Sequence, residues 1–154
     1  MTTYIKLNTC TEQDIYNYLI EVDSLLMPPL SSKENFDIKG YAKKIYENAI
    51  TFEAYNGNVL VGLIAAYFHK EDENFVYLTS VSVKKEFQNM GIAFRLLHQC
   101  VLKAEIEDFA EINLIAHKDN CKAISLYKKF GFEIIEEYYN SGIAMQKKLN
   151  ILEY

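Results

Sequence analysis

The sequence predicts an α/β (α+β) fold, a mixed and mostly antiparallel central sheet of about seven strands flanked by four helices. Three observations point to it. The hydrophobic period alternates between that of strands and that of helices, in the order β-α-α-β-β-β-α-β-α-β-β. Capping and turn signals fall where the period changes. The apolar fraction, 50% of 154 residues, suits one core of domain size, so a single domain over Met1–Tyr154 is expected.

Each element has its own signal. Tyr4-Ile5-Lys6-Leu7 alternates as a short strand. Thr11 with Asp14 marks a helix start, and Ile15, Tyr18, Leu19, Val22, Leu25 and Leu26 recur at helical spacing until Pro28-Pro29 stops the run. The segment Met27 to Phe36 has no regular pattern. Ile38, Tyr41, Ala42, Ile45 and Tyr46 define a second helix ending near Asn48. Ile50 to Tyr55 and Val59 to Phe68 are strands joined at Asn56-Gly57, a hairpin signal. His69 to Asn74 turns the chain, and Phe75 to Val83 is a third strong strand. From Gly91 the period is helical through Ile92, Leu96, Leu97, Cys100, Val101 and Ala104. Glu111 to Ala116 is a strand, Asn120 to Lys129 a helix, and Phe132 to Tyr138 and Ile143 to Leu149 the last two strands.

Composition limits the function. The net charge of −5 is not the basic footprint that binding nucleic acid requires. Cys10, Cys100 and Cys121 are too widely spaced for a disulfide framework or a metal cluster and read as reduced thiols. The start MTTYIKLNTC lacks the basic and apolar regions of a signal peptide. No run approaches the roughly 18 apolar residues of a membrane span. A cytoplasmic protein with no nucleic-acid or membrane partner and no metal is expected.

The chemistry concentrates in Val81 to Leu97, where a strand ends, a polar loop follows and a helix begins near Gly91. The loop reads Gln88-Asn89-Met90-Gly91-Ile92-Ala93. Small residues at Gly91 and Ala93 allow a ligand close to the backbone. The unpaired N–H groups of a first helical turn, with the helix dipole, favour an anion such as a pyrophosphate. Neither the phosphate-loop lysine motif nor the dinucleotide glycine motif is present. A second segment, Asn120 to Phe132, has a capping Asn120, a helix-ending Gly131, and Tyr127 two turns after Asn120 on nearly the same face.

Together, Val81-Ser82-Val83, the Gln88 to Ala93 loop and the Asn120…Ala123…Leu126-Tyr127…Gly131-Phe132 block resemble the GNAT superfamily of N-acetyltransferases, in order along the whole chain. The resemblance implies the GNAT fold, with a splayed strand pair that receives acetyl-CoA as cosubstrate. It implies main-chain contacts from Val81 and Val83 to the pantetheine arm. Gln88, Asn89, Met90, Gly91, Ile92, Ala93 and Phe94 become the pyrophosphate cradle. Asn120 contacts the pantetheine arm, and Tyr127 sits near the thioester sulfur as cofactor contact and catalytic acid for the leaving thiolate. The activity implied is direct acetyl transfer to a primary amine, with a small acceptor (amino sugar, polyamine or amino acid) favoured over a protein. Such transfer needs proximity, a neutral amine, an oxyanion stabiliser and a proton for the sulfur, but no covalent nucleophile.

The sequence departs from many relatives at Gln88, where they have Arg, and at Ala93, where they have Gly. It also has Tyr77 and Thr79 where relatives often carry a Glu or His base. The base is left open among a water relayed by Glu73, His69, His117 or Asp23 and an amine that arrives neutral. His98 is read as structural, and Glu105, Glu107 and Asp108 as a solvated helix end. Tyr16/Tyr18 and Tyr138/Tyr139 are candidates for an acceptor pocket or for packing, and Met27 to Phe36 with His69 to Asn74 for shaping that pocket. A homodimer is left open. Two other readings stand beside the enzyme: a non-catalytic acyl-CoA-binding module of the same fold, and a nucleotide-binding α/β domain, which the missing phosphate-loop lysine disfavours.

Overall fold

Thr11 shows how local sequence becomes structure. Its hydroxyl accepts from the Asp14 N–H at 3.1 Å, and the Asp14 carboxylate accepts from the Thr11 N–H at 2.9 Å. This reciprocal cap starts helix α1 (Glu12–Val22), which buries Ile15, Tyr18, Leu19 and Val22 as the spacing predicts. The helix ends earlier than Leu26, because Asp23–Leu25 tightens into a 3-10 turn. The Asp23 carboxylate accepts from the N–H groups of Leu30 (2.7 Å) and Ser31 (3.2 Å), and from the Ser31 hydroxyl. Asp23 thereby orders the segment read as irregular, where Leu30–Ser32 forms a second 3-10 turn. Helix α2 (Ile38–Asn48) starts at Asp37, whose side chain accepts from the Gly40 N–H at 3.0 Å.

The structure, a computed structural model, describes residues 2–70 and 74–149. Its strands are β1 (Thr3–Leu7), β2 (Ile50–Asn56), β3 (Val59–His69), β4 (Phe75–Val83), β5 (Glu111–His117), β6 (Glu133–Glu137) and β7 (Gly142–Lys148). They form one sheet in the order β1-β2-β3-β4-β5-β7-β6. The pairs β1–β2, β2–β3, β5–β7 and β6–β7 are antiparallel, and β4–β5 is parallel. A parallel neighbour needs a crossover, which helix α3 (Ile92–Ile106) supplies. The fourth helix, α4 (Cys121–Lys129), lies between β5 and β6 in the chain. No described helix is long and apolar enough to cross a membrane.

The chain divides into two compact units, Met1–Ala66 with Ser80–Cys100, and Tyr67–Thr79 with Val101–Tyr154. In the first, Leu63 of β3 packs with Tyr18 and Val22 of α1. Its neighbour Gly62 points the other way, where an added Cβ would stand 3.0 Å from Ile92 and 3.2 Å from Leu96. Successive strand residues face opposite sides, so α1 and α3 cover opposite faces of β3. The bare backbone at Gly62 lets the first turns of α3 lie close to the strand.

In the second unit, Val76, Leu78, Ile112, Leu114 and Met145 are buried on one sheet face. The alternate residues Phe75, Tyr77, Asn113 and Gln146 are only half-buried, and Gln146 donates to Asn113 Oδ1 at 3.0 Å. That is the strand alternation expected of a sheet covered on one side. Phe109 is buried where α3 ends, just after the left-handed Asp108 (φ 60°). Glu105, Glu107 and Asp108 are exposed there, as expected of a solvated helix end.

One buried group was not anticipated. Glu53 on β2 is wholly enclosed, yet its carboxylate is surrounded by donors. Thr9 N–H (2.9 Å), Cys10 N–H (3.1 Å), Thr51 Oγ1 (2.5 Å), Tyr55 OH (3.1 Å) and the Thr9 hydroxyl all reach it. A buried charge is tolerated when hydrogen bonds replace its hydration. Here they tie the β1–α1 junction to β2. Burial also pushes the neighbouring Cys10 thiol up to about 12, so it stays protonated. Glu53→Ala strands the buried Cys10 N–H and removes the acceptor of the part-buried Thr9 N–H. It is expected to cost about 3 kcal/mol or more in urea unfolding, and a loss below about 1 kcal/mol would contradict this account.

Candidate active site

The loop between β4 and α3 is built by main-chain and side-chain bonds that leave one row of amides free. Lys84 N–H bonds to Val61 O at 2.8 Å, and Lys85–Phe87 forms a 3-10 turn. The Gln88 carboxamide folds back and donates to Val83 O at 3.0 Å. Asn89 (φ 64°) and Gly91 (φ 77°) then adopt left-handed conformations, and Gly91 O accepts from Arg95 N–H at 3.0 Å to begin α3. Among the described residues, the N–H groups of Asn89, Gly91, Ile92 and Ala93 have no hydrogen-bond partner, while a hydrogen-bonded turn over Gln88 and Asn89 engages the Met90 N–H. Nothing lies within 4 Å of where a Gly91 Cβ would stand. Consecutive free amides at the start of a long helix, over open space, form an array suited to a phosphate-bearing anion.

The side chains around this array divide their roles. Ile92 is buried and anchors the helix start, while Met90 and Phe94 are about half exposed. Arg95 is engaged elsewhere, donating to Thr3 Oγ1 at 2.7 Å and Thr3 O at 3.2 Å. The side chain of Gln88 is committed to β4. One N–H of that carboxamide is spent on fixing the shape of the loop, and the other is without a partner among the described residues. Val83 O accepts one bond from Gln88. Val81 lies in the length of β4 beyond Leu78, the last residue paired to β5 in the ladder Phe75↔Glu111 to Leu78↔Leu114.

The second motif folds as read. Asn120 caps α4, its side-chain oxygen accepting from Ala123 N–H at 3.3 Å, which leaves the amide NH2 without a partner among the described residues. Tyr127 is buried, with its ring centroid 5.7 Å from that of Phe132. Burial pushes the Tyr127 phenol up to about 12, and among the described residues its hydroxyl has no hydrogen-bond partner. It stays protonated throughout the neutral range.

The candidate bases fare differently. Ser31 first, through its hydroxyl and then its N–H, and Leu30 through its N–H hold Asp23 below the usual carboxylate range. A carboxylate so stabilised organises its loop and is a poor proton acceptor. His117 Nδ1 accepts from Asp119 N–H at 3.1 Å, leaving Nε2. His69 lies 4.8 Å from the Phe75 ring and 6.1 Å from Tyr67. Burial raises the Tyr77 and Tyr67 phenols, and Thr79 shares a hydrogen bond with Tyr67, so among the described residues of that face of β3 and β4 the imidazole of His69 is the group left as a candidate base. Glu73 lies outside the described residues, as does part of the His69 to Asn74 turn. His98 is exposed on α3.

Of the tyrosine pairs, Tyr16 is half-buried and Tyr18 fully buried. Tyr139 is fully exposed, and Tyr138 donates to Glu136 Oε2 at 3.2 Å.

Comparison with known proteins agrees with this architecture. The sequence profile of the acetyltransferase (GNAT) family matches residues 15–132, which include both motifs. N-alpha-acetyltransferase 20 of Dictyostelium discoideum is 39% identical over 80 residues, covering 47% of this chain and 46% of that protein. The match thus spans about half the length of that relative. The crystal structure of a GNAT-family acetyltransferase from Staphylococcus aureus Mu50 superposes with a TM-score of 0.78 at 18% identity, covering 97% of this chain and 100% of the other. PaiA N-acetyltransferase from Thermoplasma acidophilum, determined in complex with coenzyme A, superposes with a TM-score of 0.71 at 19% identity, covering 96% and 99%. The order of strands and helices, the loop of free amides before α3 and the profile match converge on one conclusion: the chain belongs to the acetyltransferase (GNAT) family.

Proposed function

We propose that this chain moves the acetyl group of acetyl-coenzyme A to a primary amine, and that the acceptor is an α-amine. The observation that carries the first part is the group of free amides at Asn89 and at Gly91 to Ala93. The residues fit the coenzyme. The amides meet its pyrophosphate, open space at Gly91 admits it, and the main chain of Val81 and Val83 and the amide of Asn120 serve its pantetheine arm. The coenzyme supplies an acetyl group activated as a thioester. The chain positions it, and Tyr127 holds a proton at its hydroxyl for the departing sulfur.

The acceptor class follows from the bases. Asp23 is engaged by its own loop, and Tyr77 and Thr79 stand where a base would be useful. An amine that arrives neutral needs no such base. At pH 7.5 roughly a third of an α-amine with pKa near 7.8 is neutral, against about one in a thousand for a lysine-type amine near 10.4. The activity named for the Dictyostelium relative points the same way, towards α-amines. Peptide N-termini have this chemistry, and the α-amine of a free amino acid, raised by its own carboxylate, has it to a smaller extent. Polyamines and lysine side chains do not.

Acetyl-coenzyme A at about 100 times its dissociation constant is expected to add about 2.7 kcal/mol to stability. For a domain of this size that raises Tm by roughly 5–10 °C. The absence of both a shift and calorimetric heat would remove the coenzyme assignment. A panel of free amino acids, short peptides with varied N-termini, spermidine and Nα-blocked lysine, read by product mass, tests the acceptor. Faster turnover of spermidine or blocked lysine than of every α-amine would overturn the second part.

A further inference from the structure

Ser82 lies between Val81 and Val83, in the length of β4 that continues past its pairing with β5. Its carbonyl accepts from the phenol of Tyr18 at 3.1 Å, and the Ser82 hydroxyl is also 3.1 Å from that phenol. The next carbonyl, Val83 O, accepts from the Gln88 side chain at 3.0 Å. Successive carbonyls of a strand point to opposite edges. Two side chains therefore grip the end of β4 from both sides.

Tyr18 itself is held in place. Its ring is buried with Val22 and Leu63, which sets its height over the sheet. The capping box of Thr11 and Asp14 and the Glu53 network, through Thr9 and Cys10, pin the start of α1. Further along the helix, Glu21 pairs with the Lys84 ammonium at 2.9 Å, so the residue that follows β4 is tied to the same helix. The phenol arrives at Ser82 on a rigid element fastened on both sides of it.

We infer that Tyr18 is a positioning residue for the coenzyme: its hydroxyl fixes the Ser82 peptide, and with it the direction of the Val81 and Val83 main-chain groups. This rests on the reading that those groups contact the pantetheine arm. The competing account is that Tyr18 is a packing residue whose hydroxyl takes the nearest acceptor. In that case loss of the hydroxyl alters stability but neither the local order of β4 nor affinity for the coenzyme.

Three variants separate the accounts by two measurements: hydrogen exchange of the ligand-free protein, and calorimetric affinity for coenzyme A. Tyr18→Phe keeps the ring and removes the hydroxyl. It is expected to speed exchange at Val81 to Lys84 by about 10-fold relative to the β2 amides. It should raise the coenzyme A dissociation constant by about 10-fold. Val22→Ala weakens the same cluster without touching Ser82. It should lower Tm at least as much while leaving both measurements within about two-fold of wild type. Ser82→Ala keeps the carbonyl and should resemble wild type. Wild-type exchange and affinity in Tyr18→Phe, or Val22→Ala reproducing both changes, would overturn the positioning role. A Ser82→Ala effect equal to that of Tyr18→Phe would transfer the role from the carbonyl to the hydroxyl pair and overturn it as stated. If the wild-type protein binds no coenzyme A, the functional reading fails and the role of Tyr18 towards the coenzyme fails with it, while the exchange result still decides whether its hydroxyl orders the end of β4.

Discussion

Tyr127→Phe is expected to lower kcat by about 100-fold while leaving coenzyme affinity within a few-fold and the fold intact. The ring is buried against Phe132, and Phe preserves that contact. What disappears is a hydroxyl with no hydrogen-bond partner among the described residues, so no internal bond is broken with it. The sign of the pH effect follows from burial. With its proton held up to about 12, the phenol is fully protonated at every usable assay pH. It should not produce a fall in rate on the alkaline side below about pH 10. Complete proton transfer from so weak an acid to a thiolate runs uphill, so the hydroxyl acts chiefly by hydrogen bonding to charge as it develops on sulfur. Steady-state kinetics with an α-amine acceptor separates kcat from KM. An unchanged kcat, measured where chemistry limits the rate, would remove Tyr127 from the acid role.

Gly91→Val is expected to raise the dissociation constant for acetyl-coenzyme A by roughly 100-fold, more than its cost to stability implies. Two effects combine. At φ 77° a branched residue is strained, which costs on the order of 1–2 kcal/mol. The new side chain also enters space that is empty in the protein, since nothing lies within 4 Å of a Cβ there. That space is where the proposed function puts the pyrophosphate. Circular dichroism and urea unfolding report the first effect, and calorimetry reports both. Gly91→Ala separates them, because it keeps most of the backbone strain and adds far less bulk. A folded Gly91→Val protein that binds the coenzyme normally would move the pyrophosphate away from this loop.

The candidate site was legible where its logic is local. The Gln88 to Ala93 loop, the helix start beside Gly91, the capping Asn120 and the placement of Tyr127 two turns later all depend on contacts within a few residues, which a linear pattern records. The α1 boundary was less legible. Leu25 and Leu26 continue the apolar spacing, but Asp23 reaches forward to Leu30 and Ser31 and tightens the chain first. Asp23 also shows why a candidate base cannot be judged from its residue type. Its hydrogen bonds lower its proton affinity, and they come from a loop with no periodic signal.

By itself the sequence determined the order of seven strands and four helices, most of the face that α1 buries, and the two motifs that mark the family. Periods of two and 3.6 residues and capping chemistry act over single turns, so they can be read without knowing what lies opposite. Tertiary structure alone decided which polar groups meet. Glu53 gathers donors from the β1–α1 junction 43 or 44 residues away in the chain. Tyr18 reaches Ser82 across 64 residues. Gly62 admits Ile92 and Leu96 to its bare face. Such partners are set by strand register and helix packing, which bring distant segments within hydrogen-bonding reach. No spacing along the chain encodes them, because a buried donor and its acceptor need only meet in space.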